Sequence, residues 1–313
     1  MNWLITSLPL PYPEAVVAVG AAAIGLVAGA LGPLAVLRGR SMFGDAMSHG
    51  TLPGVVLGFV VAGTKHLPLM LLGAGLTAAL AALAVIGLER CAGSRPDVAI
   101  GVVLSAAFTT GIVLLTALAS SGNAGQSGLA DYLFGQPAGM VERDVLLTAV
   151  VGACALLAVT ACFRVLRTAA FDPGFAAVAG VPRWAVEAAS TVLLAVAIVL
   201  GVRTVGAVLM VALLVAPAVA ARQLTTRLGG LVTLSALVGG TSGAAGAVLA
   251  GRAELPAGPV IVLLATSVAV LAVLFAPRRG VLARVRRPVA AAESRSSAPG
   301  EAGAPPREAS GAR

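Results

Sequence analysis

The sequence predicts an all-α membrane protein: a polytopic bundle of about eight to nine transmembrane helices, N-terminus outside and C-terminus cytoplasmic. Three observations carry this. Of 313 residues, 58% are hydrophobic and 11% charged, with a mean hydropathy of +0.99. A soluble domain carries about 25% charged residues, so the chain has too few to face water on all sides. Apolar stretches recur at the length of about 20 residues that crosses a hydrocarbon core about 30 Å thick. Lys and Arg gather in alternate loops between those stretches.

Nine spans follow in order, read at 15–37, 41–62, 67–88, 98–119, 145–163, 185–201, 204–221, 228–250 and 256–276. At about 1.5 Å of rise per residue, each reaches roughly 25–35 Å. The first carries Gly25 and Gly29 in a G-x-x-x-G spacing, and the eighth carries Gly239, Gly243 and Gly246 along one side. Small residues let helix backbones approach where lipid gives no hydrophobic driving force. The second opens on the polar stretch from Ser41 to Gly54, treated below. The seventh contains Pro217, which removes a backbone hydrogen bond, frees the carbonyl of Leu213 and predicts a kink.

Orientation follows from the basic residues. One set of loops holds Arg38, Arg40, Arg90, Arg95, Arg164, Arg167, Arg183, Arg222, Arg227, Arg278, Arg279, Arg284, Arg286 and Arg287, 14 residues; the other holds Lys65, Arg143, Arg203 and Arg252, 4 residues. The richer set belongs in the cytoplasm. The net charge of +8 is thus a topology signal, and no nucleic-acid module accompanies it. The chain divides into a membrane domain, 1–280, and a basic tail, 281–313, whose Ala, Ser, Pro, Gly and Arg content predicts disorder; its basic start suits anionic lipid headgroups. Cys91, Cys154 and Cys162 lack metal-type spacing and read as small hydrophobes. The N-terminus has no basic region and no A-x-A-like site, so no cleavable signal is expected.

The spans hold few ionisable groups, and two of these lie four residues apart. Asp45 and His49 share one helical face, about 5–6 Å between Cβ atoms, and carboxylate with imidazole suits a divalent metal. They lie about 6 Å and 12 Å inward from Ser41. A carboxylate at a helix centre in the membrane costs about 2.5–3.5 kcal/mol on the insertion scale, so Asp45 needs a partner, water or an interface. The alternative is an Asp–His hydrogen bond that steadies a helix start. His66, the other histidine, follows Lys65 in a loop and reads as solvated. No H-E-x-x-H, P-loop or intramembrane Ser/His/Asp set is present, which disfavours an enzyme or a self-energised pump. A second polar stretch starts at Asp172, an N-cap candidate followed by Pro173, and closes at Gly180 and Pro182. It predicts a short amphipathic helix that docks into a groove on a cytoplasmic partner; the alternative is a plain interfacial turn.

The run from Leu37 to Gly54, with a basic pair and then a G-D-A-x-S-H-x-x-L-P-G core, resembles the ABC-3 family, the permeases of zinc, manganese and iron ABC importers. Segments at Arg95–Val103, Asp131–Gly135, Phe171–Gly180, Arg203–Met210, Ala216–Arg222 and Glu254–Gly258 resemble it in the same order. The resemblance covers about 1–280. It implies a permease with no permanently bound cofactor and a divalent metal as cargo. It also implies cytoplasmic ATP-hydrolysing subunits, an extracytoplasmic metal-binding protein and a pair of permease subunits, here a homodimer. Carried over, the family's acid–histidine pair falls on Asp45 and His49. Its ATPase-coupling segment falls on 171–182, with Phe171, Asp172, Pro173, Ala177 and Gly180. Glu254 stands at an outer-mouth position where many members carry Asp. A siderophore or cobalamin permease is the nearest rival, disfavoured by the Asp–His pair because bulky cargo needs a ligand-free channel. A non-transporting scaffold would need neither that pair nor a capped cytoplasmic helix.

Overall fold

The computed structural model describes residues 11–37, 42–63, 66–120, 142–171, 183–276 and 280. Ten helices make up the described residues: α1 Tyr12–Leu37, α2 Phe43–Ala62, α3 Leu67–Cys91, α4 Pro96–Ser120, α5 Glu142–Ala161, α6 Phe163–Phe171, α7 Arg183–Val205, α8 Ala207–Leu224, α9 Leu228–Arg252 and α10 Ala257–Phe275. Seven of them, α1 to α5, α9 and α10, are long and apolar enough to cross a membrane, and α7 and α8 contain the shorter apolar stretches Ala189–Val199 and Leu209–Leu224. Nine helices coincide with the nine expected spans.

The tenth, α6, is the departure. The fifth span was expected to run to 163; instead α5 ends at Ala161, Cys162 forms a turn, and α6 starts at once. Arg164 and Arg167 force the break, because they are exposed while Leu166 is buried. Such a split, basic residues outward and an apolar one inward, is the pattern of an amphipathic helix and not of a span. Of the expected coupling residues, Phe171 is the last residue of α6. Asp172, Pro173, Ala177 and Gly180 lie outside the described residues, as does the tail 281–313.

The core gathers on α1, α2, α7 and α8, where Leu31, Phe43, Met47, Ile198, Met210, Leu213 and Leu214 are fully buried. Pro217 lies buried within α8, which continues through it to Leu224. Around the core, apolar side chains point outward: Leu72, Leu76, Leu80 and Leu83 form one exposed stripe on α3. Water would penalise such a stripe, whereas lipid accepts it.

Glycine sets how closely the helices approach. Along α1 and α9 a Cβ on Gly25 would fall on the Gly239 carbonyl, one on Gly29 on that of Ser235, and one on Gly243 on that of Ala21. The constant sum of these paired numbers makes the two helices antiparallel, with the expected G-x-x-x-G as their seam. Gly246 faces α10 instead, against Ile261. A second antiparallel seam joins α2 to α3: Gly54 meets Gly73, and Gly58 meets the Leu69–Met70 backbone.

A candidate metal site on helix α2

Helix α2 starts at Phe43, and Asp45 lies in its first turn. That position suits a carboxylate, which faces the partial positive charge of the helix N-terminus. The other polar side chains of the segment are satisfied on the helix itself. Ser48 Oγ donates to the Gly44 carbonyl at 2.8 Å and Thr51 Oγ1 to the Ser48 carbonyl at 2.6 Å. Asp45 and His49 therefore remain, and they face each other across one helical turn.

His49 Nε2 lies 3.3 Å from Asp45 Oδ1. That is beyond the usual 2.7–3.2 Å of an N–H···O hydrogen bond, and well beyond the 2.7–2.9 Å of a charge-assisted one. The ring is anchored from the side: it meets Phe108 of α4 edge to face, with centroids 4.9 Å apart and planes at 77°. One turn on, Leu52 of α2 covers Gly111 of α4. The two contacts keep one offset in numbering, so α2 and α4 run parallel and hold the imidazole at a fixed height.

Burial is incomplete where chemistry needs access. The His49 side chain is 24% exposed and Asp45 33%, so both can be reached by an ion, while His49 Nδ1 is buried without a hydrogen-bond partner. A buried nitrogen left unpaired costs about 1–3 kcal/mol. Among the described residues no third His, Cys, Asp or Glu joins the pair.

Glu254 stands apart. It is exposed, with φ of 53° in the left-handed region, just beyond the end of α9. The carboxyl of Glu14 on α1 lies beside Gly251, so the start of α1 and the end of α9 share one end of the bundle. Asp45 follows the other end of α1, roughly 40 Å away at helical rise. Glu254 and the pair thus mark opposite ends. The Phe108 contact carries no sequence signal, because an aromatic residue in an apolar span reads equally as core or as lipid face.

Set beside known proteins, residues 14–276 match the model of the ABC 3 transport family. The chain belongs to that family. This ABC 3 permease is 41% identical over 272 residues to the zinc transport system membrane protein TroC of Treponema pallidum, covering 87% of the chain and 91% of the relative. It is 38% identical over 282 residues to the manganese transport system membrane protein MntC of Bacillus subtilis, covering 90% of the chain and spanning 65% of the relative's length. Among solved structures, PsaBC from Streptococcus pneumoniae in complex with Fab superposes with a TM-score of 0.77 at 30% identity, covering 91% of this chain and 99% of that one. The multi-span architecture of the permease and its place in the bacterial inner membrane follow from this membership.

Proposed function

We propose that this chain is the membrane permease subunit of an ATP-driven importer of divalent metal ions, manganese or zinc, and that Asp45 and His49 are the ligands its cargo meets. The 3.3 Å separation of Asp45 Oδ1 and His49 Nε2 carries the reading. An ion about 2.1 Å from the oxygen and 2.05 Å from the nitrogen would subtend about 105°, close to a tetrahedral angle. The pair is too open for a good hydrogen bond and correctly spaced for a shared cation. The relatives named for manganese and zinc support the choice of cargo.

Two ligands do not complete a shell. A second permease copy across a two-fold axis would bring a second pair, with water or backbone oxygen filling what remains. The loop charges orient the bundle with its N-terminus outside, which puts Asp45 toward the cytoplasm and Glu254 at the outer mouth, where a metal-binding protein delivers the ion. Separate cytoplasmic subunits hydrolyse ATP and push on segment 171–182, whose Asp172, Pro173 and Gly180 have the capping chemistry of a docking helix.

Asp45→Ala and His49→Ala test the pair, with uptake of radioactive manganese and zinc measured in cells and membrane insertion checked by immunoblot. Each change should cut uptake by about 100-fold, the upper range for perturbing a metal ligand's surroundings. Unchanged uptake by a normally inserted variant rules the pair out.

A further inference from the structure

Helices α3 and α7 meet in an unusual way. At the end of α3, Arg90 Nη2 lies 2.9 Å from Glu187 Oε2 near the start of α7. Arg90 lies in the last turn of α3, where the helix end favours a cation. Farther along the seam the helices part around an open apolar crevice of about 280 Å³, lined by Gly75 and Ala79 of α3, Val192 and Val196 of α7, and Val151 of α5. A Cβ built on Gly75 meets nothing within 4 Å. The seam is pinned at one end and loosely packed above the pin.

We infer that this seam is a joint that carries motion from the start of α7 to the metal pair, with Arg90 and Glu187 as positioning residues and the crevice as the room in which α7 tilts. The inference rests on the functional reading above and adds the route of transmission. Helix α7 begins at Arg183, directly after segment 171–182 in the sequence, so a push on that segment reaches Glu187 within two helical turns. The ion pair passes it to α3. Between α3 and α2 little side-chain matter can absorb it, since Gly54 and Gly73 bring the two backbones together. Packed backbones move as a body, and the body includes Asp45 and His49. Interfaces that pivot about a fixed contact are a standard means of domain rearrangement.

The test uses the complete transporter, permease with its ATPase subunits, in proteoliposomes, reading manganese or zinc moved per ATP hydrolysed. Arg90→Glu and Glu187→Arg should each lower that ratio about tenfold, within the usual range of coupling between sites. The double exchange, which restores opposite charges, should return it to within about threefold. Arg90 is 55% exposed and Glu187 19%, so Arg90→Glu should leave the unfolding temperature in place, while Glu187→Arg is judged by the rescue in the double exchange. If ATP hydrolysis and unfolding temperature fall in step with transport, or the double exchange rescues nothing, the pair is merely structural and the joint is overturned. Gly75→Leu, whose Cβ meets nothing within 4 Å, puts bulk into the crevice and should slow transport about fivefold at unchanged unfolding temperature; full-rate transport overturns the joint. Spin labels at Leu80 and Ala189, after replacement of Cys91, Cys154 and Cys162, all exposed, give a reading independent of cargo. Their separation should change when ATP is added, and a constant separation overturns the joint. A wild-type complex that moves neither metal overturns the functional reading instead, and the labels then decide the joint alone.

Discussion

Replacing Gly54 by alanine tests the tightest contact beneath the metal pair. The added Cβ falls on the Gly73 carbonyl and on Thr77 Oγ1. Neither can yield cheaply. The first is helix backbone, and Thr77 Oγ1 is held by hydrogen bonds to the Gly73 carbonyl at 3.1 Å and the Ala74 carbonyl at 3.3 Å. To regain van der Waals distance, α2 and α3 must part by about 1 Å. Overpacking of this kind costs about 1–3 kcal/mol, offset by about 1 kcal/mol gained when alanine replaces a helical glycine. A net loss of about 0–2 kcal/mol is expected in reversible unfolding in mixed micelles. Metal uptake should fall further than the stability loss explains, because Asp45 and His49 ride on the displaced helix and a misplacement of about 1 Å can cost about 100-fold where geometry is critical. Gly87→Ala is the control: nothing lies within 4 Å of its added Cβ, so it should be neutral or slightly stabilising. If Gly54→Ala proves as stable and as active as Gly87→Ala, the close backbone contact does not govern the site.

Two further changes probe the surroundings. Phe108→Ala removes the ring beside His49, an aromatic contact worth about 0.5–1.5 kcal/mol; uptake should drop about three- to tenfold with normal insertion, and unaltered uptake would mean that the imidazole needs no lateral support. Gly29→Val pushes into the Ser235 backbone and should lower α1–α9 stability by about 1–3 kcal/mol, read as earlier unfolding in detergent; a variant of wild-type stability contradicts that seam.

Much of the bundle was legible because hydropathy marks spans strongly, and all nine expected spans have a helix. The break at Cys162 was not, since apolar residues run on through Phe163 and only the facing of Arg164 and Arg167 separates α6 from α5. G-x-x-x-G spacing marked Gly25 and Gly29 as contact residues, yet spacing within one helix cannot name the partner; the α9 backbone does that in three dimensions. The same limit hid Gly73 and Gly111, each an ordinary glycine in an apolar run. For the site, i and i+4 spacing placed Asp45 and His49 on one face, which depends on a single helix and is visible in the sequence. The Phe108 contact, the unpaired Nδ1 and the 3.3 Å separation depend on the register between helices, which no local pattern encodes.

The α1–α9 seam also bears on how the protein is made. Its facing glycines, Gly25 and Gly239, belong to the first and ninth helices of the described chain, so α1 enters the bilayer long before its mate has been translated. At about 5–20 residues per second the delay is about 10–40 s. Throughout that interval α1 offers the membrane a bare groove of small residues, which any passing helix of suitable shape can occupy. The seam that binds the first helix most tightly is therefore one of the last that the growing chain can close.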